Sequence, residues 1–385
     1  MLHSVLNICA AFAAIATLCG FGYTVLSMWG AARFLWKRED VAATMLPPVS
    51  ILKPLKGRDP EMLENFRSHC RQNYSDYEIV FGVTDAKDPA IAAVEQLRLE
   101  FPSRPIRLVV SQRSLGANAK VSNLAQMVPV ASYEYVVVND SDIRIDPNYL
   151  QQVMLPLATP RTGLVTCLYR GAPAATLGSW LEAAGIVDFA SGVLAARQVD
   201  GGIQFGLGST LAFRRQDLEA IGGFEAIADF LADDYQLGHR LTRQGANGEL
   251  AHNVVETVLP AYSLGEYLSH QLRWARTIRD SRRWGYAGMA FTYYLPWALL
   301  TLLCTGGAVW AWFLLGAAFM IRMTSALAVG YGVLNDRRTI KYLAFIPVRD
   351  LLAVAVWLTG FLGHTVSWRE EQFSLKKGKL HRINP

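Results

Sequence analysis

Charged residues are absent from two long stretches of the chain, one near each end. Residues 4–32 contain no charged side chain, although a membrane-spanning helix needs only about 20 apolar residues. A second uncharged stretch covers residues 284–321 and resumes after Arg322 as far as Leu334. These patterns predict a membrane anchor at the beginning of the chain and further membrane helices towards its end.

The number of helices near the end depends on how the second stretch is interrupted. Gly306-Gly307 is a break that divides it into two predicted spans near 288–305 and 308–333. A shorter run, 351–368, contains only His364 among titratable groups and would either span the membrane or enter and return. The sequence therefore predicts two or three C-terminal spans.

Between about residues 48 and 260 the pattern changes to short β-branched runs that alternate with helical periodicity, as in α/β domains. The predicted strands are Val49–Lys53, Glu78–Val83, Ile106–Ser111, Tyr135–Asn139 and Gly163–Leu168, and the predicted helices lie near 60–72, 88–100, 119–128 and 147–157. Strands without polar alternation favour a mostly parallel sheet that is covered on both faces. Ligands of such sheets bind beyond the carboxyl ends of the strands, so polar residues there are the first functional candidates.

Basic residues next to the apolar runs predict the orientation in the membrane. Arg33, Lys37 and Arg38 directly follow the first run, which favours a cytosolic position for the domain after it. A cleaved signal peptide would have a basic beginning and a shorter apolar run. The loop 335–341 and the tail after residue 368 are also basic, and both can be cytosolic only if the last apolar run re-enters the membrane.

Composition supports a membrane protein and narrows its partners. The 385 residues are 52% hydrophobic, and their mean hydropathy of +0.20 is high for a soluble protein. The net charge is +5, and its basic excess beside apolar segments indicates anionic lipid headgroups rather than nucleic acid. The five cysteines, at positions 9, 19, 70, 167 and 304, have no metal-ligand spacing, so we expect neither zinc nor disulfides.

Two aspartates, Asp140 and Asp142, lie at the end of the predicted strand Tyr135–Asn139. Alternate side chains at a strand end point the same way, so the two carboxylates can converge on one cation. Carboxylate oxygens suit Mg²⁺ or Mn²⁺ bound to a diphosphate. A solvated acidic turn is the simpler explanation of this pattern when it is taken alone.

Two further polar positions follow the same rule. Asp85 comes directly after the strand Glu78–Val83, where it would bind a base or ribose, or else serve as a turn or capping aspartate. The glycine-led stretch 116–123 begins a helix, and helix N-termini favour anions. Lys120 would add positive charge there towards phosphates.

The adjacent pair Asp233-Asp234 is the third acidic group. Two neighbouring carboxylates in an apolar setting cannot both keep an ordinary pKa, so one has a raised pKa or faces water. Such a carboxylate suits general-base catalysis on an alcohol. Helix capping or a local ion pair would also explain the pair.

An arginine-rich, tryptophan-containing stretch, 263–286, lies directly before the second apolar block. A basic helix with tryptophans is typical of the headgroup layer of a bilayer. It contains His270, Arg273 and Trp274, where an active site would meet an amphipathic acceptor at headgroup level.

The order of these motifs resembles the inverting GT-A type glycosyltransferases of family 2 and its relative, family 21. The motifs Leu52–Gly57, Asp85–Pro89, Lys120–Asn123, Asp140–Arg144 and Ala232–Tyr235 are similar to those of the ceramide glucosyltransferase family. The stretches Leu164–Gly171 and His270–Thr277 and the pair Trp368-Arg369 resemble the bacterial hopanoid-biosynthesis glycosyltransferases most closely. The resemblance extends over most of the chain.

The resemblance implies a role for each candidate residue. Asp85 would bind the uridine part of a UDP-sugar, and Lys53, Lys120 and Asp140 would belong to the same donor site. Asp140 and Asp142 would coordinate Mg²⁺ or Mn²⁺, and Asp234 would be the catalytic base, with Asp233 beside it. Arg273 and Trp274 would complete the catalytic site, while His270 stands where polysaccharide synthases have Gln or Arg.

The resemblance therefore predicts an α/β GT-A type domain with a mixed, mostly parallel sheet and transmembrane helices at both ends. The expected boundaries are an anchor over 1–36, a cytosolic catalytic domain over 37–262, an interfacial helix over 263–286, membrane or re-entrant helices over 287–368 and a basic tail over 369–385.

The expected function is transfer of one sugar, N-acetylglucosamine, from UDP to a hopanoid in a bacterial inner membrane. Glucose transfer to ceramide is the alternative, and a processive polysaccharide synthase is the third. A transporter subunit or a non-catalytic sugar-nucleotide sensor represents another class; transporters carry ionisable residues inside their spans.

Overall fold

The computed structural model describes residues 2–36, 46–243, 246–368 and 371–383. Its α-helices are α1 (Leu2–Trp36), α2 (Met62–Cys70), α3 (Ala90–Glu100), α4 (Ala119–Met127), α5 (Tyr149–Leu157), α6 (Leu177–Val199), α7 (Arg215–Ala220), α8 (Asp233–Thr242), α9 (Leu264–Ser281), α10 (Arg283–Gly288), α11 (Tyr294–Cys304), α12 (Val309–Leu327), α13 (Thr339–Tyr342) and α14 (Ile346–Gly360). Its strands are β1 (Val49–Pro54), β2 (Tyr77–Val83), β3 (Ile106–Val110), β4 (Tyr135–Val138), β5 (Ile143–Arg144), β6 (Thr162–Ala172), β7 (Leu211–Arg214), β8 (Asn247–Val258), β9 (Thr365–Trp368), β10 (Glu371–Lys376) and β11 (Lys379–Arg382).

The chain divides into two compact units, and neither is continuous in sequence. The helical unit consists of Met1–Lys37, Ala175–Val199 and Ala261–Lys377, and the sheet unit consists of Arg38–Ala174, Asp200–Pro260 and Gly378–Pro385. The expected single domain over 37–262 is therefore interrupted by α6, which belongs to the helical unit.

The sheet unit contains an eight-stranded sheet in the order β3-β2-β1-β4-β7-β6-β8-β5. Strands β1, β2, β3 and β4 pair in parallel, as do β6 and β8, whereas β7 is antiparallel to both its neighbours and β5 is antiparallel to β8. The sheet is mixed and mostly parallel, as the sequence predicts. Fully buried side chains of β1, β2 and β4, among them Leu52, Val80 and Val138, form part of its core.

This arrangement sets where polar residues can gather. Because β1, β2 and β4 are parallel neighbours, their carboxyl ends meet at one edge of the sheet. Leu55 N donates to Gly82 O at 2.8 Å and Asn139 N donates to Leu52 O at 3.2 Å, which extends the pairing beyond the strand ends. Asp85 and Asp140 each follow two residues after their strand and start from this edge.

The helical unit contains helices that are long and apolar enough to cross a membrane. They are Leu2–Trp36, Leu177–Val199 and Val309–Val333, and a fourth candidate is the pair Arg283–Thr292 and Tyr294–Cys304, which is bent by 59°. The expected anchor and the span near 308–333 agree with these bounds. The span expected near 288–305 is bent, and α6 is a candidate span that the sequence analysis placed inside the soluble domain.

Aromatic side chains and small residues hold the helical unit together. Phe12 and Phe21 of α1 pack edge-on against Trp297 and Tyr294 of α11, with ring centroids 5.7 and 5.8 Å apart. A Cβ on Gly30 would come within 2.5 Å of the carbonyl oxygen of Leu194, so α1 and α6 touch through their backbones there. These contacts join α1, at the beginning of the chain, to α6 and α11.

The last apolar run does not continue as one helix. Helix α14 ends at Gly360, and the chain enters β9 at Thr365, which pairs antiparallel with β10. Its 15 residues are fewer than the roughly 20 that a straight span requires. The predicted interfacial stretch forms α9 and α10, and the expected basic tail contains β10 and β11. Lys37, Arg38 and Arg369, which carry part of the predicted charge pattern, lie outside the described residues.

Candidate active site

Two of the acidic groups meet around Lys120: Asp140, which follows β4, and Asp233, which begins α8. The amine of Lys120 lies 2.7 Å from Asp140 Oδ1 and 3.0 Å from Asp233 Oδ2. Burial lowers the pKa of Lys120, but the two carboxylates outweigh burial and raise it above its ordinary value. Residues far apart in the sequence therefore form one charged cluster in the sheet unit.

The local structure of α4 explains the position of Lys120. Asn118 is the N-cap of this helix, and its side-chain oxygen accepts a hydrogen bond from Val121 N at 3.1 Å. Lys120 is the second residue of the helix and is tied to Asp233, the first residue of α8. The cluster thus joins the beginnings of two helices to the end of β4.

Asp234, the neighbour of Asp233 in sequence, has different contacts from Asp233. Its Oδ2 accepts a hydrogen bond from Gly208 N at 2.9 Å. Burial, together with the charge of Asp233, raises the pKa of Asp234 to about 6. Asp233 is the partner of Lys120. The raised pKa of Asp234 is the proton affinity expected of a base near neutral pH.

Gly208 separates the carboxylates of Asp140 and Asp234. A Cβ placed on Gly208 would lie 3.0 Å from Asp140 Oδ2 and 3.4 Å from Asp234 Oδ2. Both oxygens therefore approach the same small volume, which a side chain at position 208 would occupy. The importance of Gly208 cannot be predicted from the sequence, because nothing local marks a glycine that must leave room for residues remote in sequence.

Asp142 is half-buried and follows the end of β4. Its Oδ2 accepts a hydrogen bond from Thr257 Oγ1 at 2.6 Å. Burial and then the charge of Asp140 raise the pKa of Asp142 to about 6, and Asp59 contributes in the same direction. Asp59 itself accepts a hydrogen bond from Ser141. Asp59 follows β1, so the rule that polar residues after strands are candidates would have found it.

This concentration of negative charge suits a divalent cation. The charge of Asp140 disfavours the ionised form of Asp142, and a cation held by both carboxylates would remove that penalty. Within the described ranges no group of three or more His, Cys, Asp or Glu side chains is arranged to hold a metal ion. A pair of carboxylates that is completed by phosphate and water oxygens is the kind of site that Mg²⁺ or Mn²⁺ uses.

Lys53 of β1 is hydrogen-bonded to the backbone of Asp140 and so stabilises this end of the cluster. Its side chain has no solvent exposure, and its amine donates to the backbone carbonyl of Asp140 at 2.9 Å. The amine also lies 3.2 Å from His69 Nε2, while His69 Nδ1 is 2.8 Å from Asn65 O. Burial lowers the pKa of Lys53 to about 7 and that of His69 well below its ordinary value. The neutral imidazole therefore accepts at Nε2.

Asp85 is exposed on a turn at the edge of the sheet where β2 ends. Its Oδ1 accepts a hydrogen bond from Lys87 N at 2.8 Å, which is the turn role considered for it from sequence. It starts from the same strand edge as Asp140, but its carboxylate is directed to its own turn rather than to Lys120.

His270, Arg273 and Trp274 belong to α9 of the helical unit. The ring of His270 stacks on Tyr262 at 5.5 Å between centroids, and its Nδ1 lies 3.2 Å from Glu182 Oε1. Trp274 packs edge-on against an aromatic ring of α6. Arg273 is half-buried. These three residues belong to the helical unit, whereas Lys53, Lys120, Asp140, Asp142, Asp233 and Asp234 belong to the sheet unit.

Comparison with known proteins identifies relatives over nearly the whole chain. The family model of glycosyl transferase family 21 matches residues 12–381. Ceramide glucosyltransferase 3 of Caenorhabditis elegans is 24% identical over 370 residues, which cover 89% of this chain and 75% of that protein. Ceramide glucosyltransferase 1 of the same organism is 25% identical over 210 residues, or 54% of this chain and 44% of the relative.

Among solved structures, a mannosyltransferase from Pyrobaculum calidifontis in complex with GDP-Man and Mn²⁺ superposes with a TM-score of 0.55. It is 21% identical, and the match covers 92% of this chain and 99% of the other. At this level of identity the likeness concerns the fold, and it confirms the predicted GT-A-like architecture with its mixed, mostly parallel sheet.

Proposed function

Since the chain belongs to glycosyl transferase family 21, we propose that this glycosyltransferase moves a single sugar from a UDP-sugar to a hydroxyl group of a membrane lipid. The observation that carries the proposal is the cluster of Lys120, Asp140, Asp233 and Asp234 at the carboxyl edge of the sheet. It combines a base with a raised proton affinity and a carboxylate pair suited to a cation that binds diphosphate.

Asp234 acts as the general base in this proposal. A lipid alcohol is a weak nucleophile at neutral pH, so its proton must leave as its oxygen attacks the sugar. The Asp234 carboxylate takes that proton while the new bond to the anomeric carbon forms and the bond to the diphosphate oxygen breaks. Attack from the face opposite the leaving group inverts the anomeric centre, and the diphosphate leaves with the bonding electrons.

Asp140 and Asp142 would hold Mg²⁺ or Mn²⁺. The ion would neutralise charge on the leaving diphosphate as a Lewis acid. Lys120 contributes a fixed positive charge beside Asp140, and the structural relative was solved with Mn²⁺ and a nucleotide sugar. Lys53 acts through the backbone of Asp140, because its amine is buried under the strand end and bonded there.

Asp85 is proposed to bind the nucleoside. Its position at the end of β2, next to the strand that precedes Asp59, suits a uridine that extends from the diphosphate along the sheet edge. Donor binding would then replace the bond between its carboxylate and Lys87 N. Arg273 and Trp274 are proposed to serve the acceptor and diphosphate end, with His270 beside them.

The lipid acceptor is supported by the candidate membrane spans and by the ceramide glucosyltransferases among the relatives. We propose N-acetylglucosamine transfer to a hopanoid in a bacterial inner membrane, with the sheet unit in the cytosol. The likeness of the 164–171 and 270–277 motifs to hopanoid-pathway enzymes supports this choice, and Arg33 in the last turn of the anchor helix supports the orientation. Glucose transfer to ceramide is the second candidate, favoured by the names of the relatives.

The two candidates can be separated with one purified protein. The full chain in nanodiscs would be incubated with UDP-N-acetylglucosamine or UDP-glucose and with a hydroxylated hopanoid or ceramide, and the lipids analysed by mass spectrometry. We expect addition of one N-acetylhexosamine to the hopanoid, abolished in Asp234→Asn. Addition of one hexose to ceramide alone would support the second candidate, and a ladder of several sugars would contradict single transfer.

A further inference from the structure

The end of the chain returns to the sheet unit and pairs with the loop that precedes Asp233. We call residues 378–382, which are Gly378 and β11, the tail strand, and residues 228–232 the catalytic loop. Leu380 N donates to Asp229 O at 2.7 Å and Leu231 N donates to Gly378 O at 3.2 Å. Phe230 and Lys379 form an antiparallel bridge between these two bonds. The tail strand therefore adds backbone hydrogen bonds to a loop that belongs to no strand of the main sheet.

Side chains reinforce this pairing. The amine of Lys379 lies 5.4 Å from the centroid of the Phe230 ring, and the guanidinium carbon of Arg240 lies 5.6 Å from it. Leu380 is buried, with 3% of its surface exposed. These contacts fix the ring of Phe230, and hence the loop, between the tail strand and α8.

Gly378 is required at its position for two reasons. Its φ is +80°, a conformation that residues with a Cβ adopt only with strain. A Cβ would also lie 3.2 Å from Cδ1 of Phe230, which is closer than most carbon contacts. The turn into the tail strand and the close approach to Phe230 therefore depend on this glycine.

The opposite side of the catalytic loop holds the turn that begins α4. Asn118 N donates to Ala228 O at 2.8 Å, and Asn118 Nδ2 donates to Phe230 O at 2.8 Å. Ala117 N donates to Asp229 Oδ1 at 3.0 Å. The loop is thus bonded on one side to the tail strand and on the other to the turn that positions Lys120.

We propose that the tail strand is a positioning element for the active site: it holds the catalytic loop so that Asp233, Asp234 and Lys120 keep their mutual geometry. The assignment of these residues to catalysis rests on the proposed function. The coupling itself rests on the contacts above and does not depend on which sugar or lipid is used. Nothing in the tail strand needs to touch a substrate.

The test compares four variants with the wild-type protein, all in nanodiscs. A stop codon after Lys377 removes the tail strand, and Gly378→Val disturbs it by strain and by contact with Phe230. Ile383→Ala is the matched control, because Ile383 is an exposed residue at the end of the same segment. Gly378→Asn is the conservative variant, since asparagine tolerates the left-handed conformation better than valine does.

Hydrogen–deuterium exchange gives a readout that is independent of activity. We expect about tenfold faster exchange in peptides covering 228–236 and 117–122 after truncation and in Gly378→Val, with unchanged exchange in β1. Gly378→Asn should lie between Gly378→Val and wild type, and Ile383→Ala should equal wild type. Exchange confined to residues 229–231, with 117–122 unaffected, would overturn the coupling.

Kinetics then separate positioning from mere stability. In the two disturbed variants kcat should fall by about 10- to 100-fold, as expected for misplaced catalytic groups, while the KM for the lipid changes less than threefold. Unchanged kcat despite faster exchange would overturn the positioning role. A wild-type protein that transfers no sugar would refute the proposed function alone, because the exchange result would still decide whether the tail strand holds the loop.

Discussion

The amine of Lys53 donates a hydrogen bond to the backbone carbonyl of Asp140 from a side chain that is fully buried. A lysine in an apolar strand thereby supports the strand end that carries the carboxylate pair. His69 accepts from the same amine in its neutral form, so two buried acceptors depend on one donor.

Replacing Lys53 by methionine keeps the side-chain volume but removes this donor. Leaving buried acceptors unpaired costs about 1–3 kcal/mol, so we expect a lower Tm and a reduced affinity for the cation, because the Asp140 carbonyl is no longer fixed. Differential scanning fluorimetry and metal titration of activity measure the two effects. Lys87→Met, at an exposed turn, is the control and should change neither. A Tm and a metal affinity equal to those of the wild type in Lys53→Met would contradict a stabilising role for the buried amine.

The pH dependence of transfer should report the environment of Asp234. A general base must be deprotonated, and burial raises the pKa of Asp234 to about 6. We therefore expect kcat/KM to fall about tenfold per pH unit below pH 6, rather than below pH 4 as for an ordinary aspartate. In Asp233→Asn the repelling charge is gone, so the acidic limb should move to lower pH. A flat profile down to pH 4.5 in the wild type would exclude Asp234 as the base.

Thr257 is not a proposed metal ligand, but it should affect the metal concentration that the enzyme requires. EDTA should stop transfer, and Mn²⁺ or Mg²⁺ should restore it. Thr257 donates to Asp142 Oδ2, and loss of such a supporting hydrogen bond typically weakens metal binding by about 10- to 100-fold. Thr257→Val should therefore require more metal for half-maximal activity, with the same maximal rate. Full activity in EDTA would contradict the assignment of Asp140 and Asp142.

A separate prediction concerns charges inside the helical unit. Arg322 binds Asp350 through two hydrogen bonds of 2.8 and 2.9 Å and Asp188 through a third of 2.8 Å, and Arg349 also contacts Asp188. Removing one member of a buried ion pair costs about 3–5 kcal/mol, whereas replacing both by apolar residues can be neutral. Arg322→Met should therefore lower the Tm of the protein in detergent more than the double variant Arg322→Met/Asp350→Leu does.

If the double variant had a lower Tm than Arg322→Met, Arg322 and Asp350 would not stabilise each other. The pairing also bears on the transporter alternative, because ionisable residues inside membrane spans are typical of transporters. Arg322, Arg349, Asp188 and Asp350 bind one another, so their presence in an apolar region has a structural explanation.

The first half of the sheet unit could be predicted closely, because its strands and helices have distinct periodicities and turn residues between them. The predicted strand Glu78–Val83 and the predicted helix near 147–157 differ from β2 and α5 by one or two residues at an end. The rule for strand ends also singles out Asp140 and Asp142, which follow β4; their role as metal ligands stays a prediction. These features depend on local pattern, which a sequence displays directly.

Other features depend on contacts between distant residues, and the sequence did not display them. Helix α6 is hard to predict because Glu182, Asp188 and Arg197 interrupt its apolar run, although other helices supply partners for Glu182 and Asp188. The role of Gly208 and the return of the tail strand to the catalytic loop are visible only in three dimensions. Helix α14 ends at Gly360, and Gly363, with a φ of +73°, allows the chain to turn into β9.

The proposed mechanism depends most on Asp234, the group that takes the proton of the acceptor hydroxyl. Single-turnover transfer by Asp234→Asn, measured beside UDP-sugar binding to the same protein by calorimetry, tests this directly. Asparagine can still accept from Gly208 N, so donor affinity should stay within about threefold of wild type, while the transfer rate should fall by about 10²- to 10⁴-fold. A variant that binds the donor normally and transfers sugar at the wild-type rate would contradict the account.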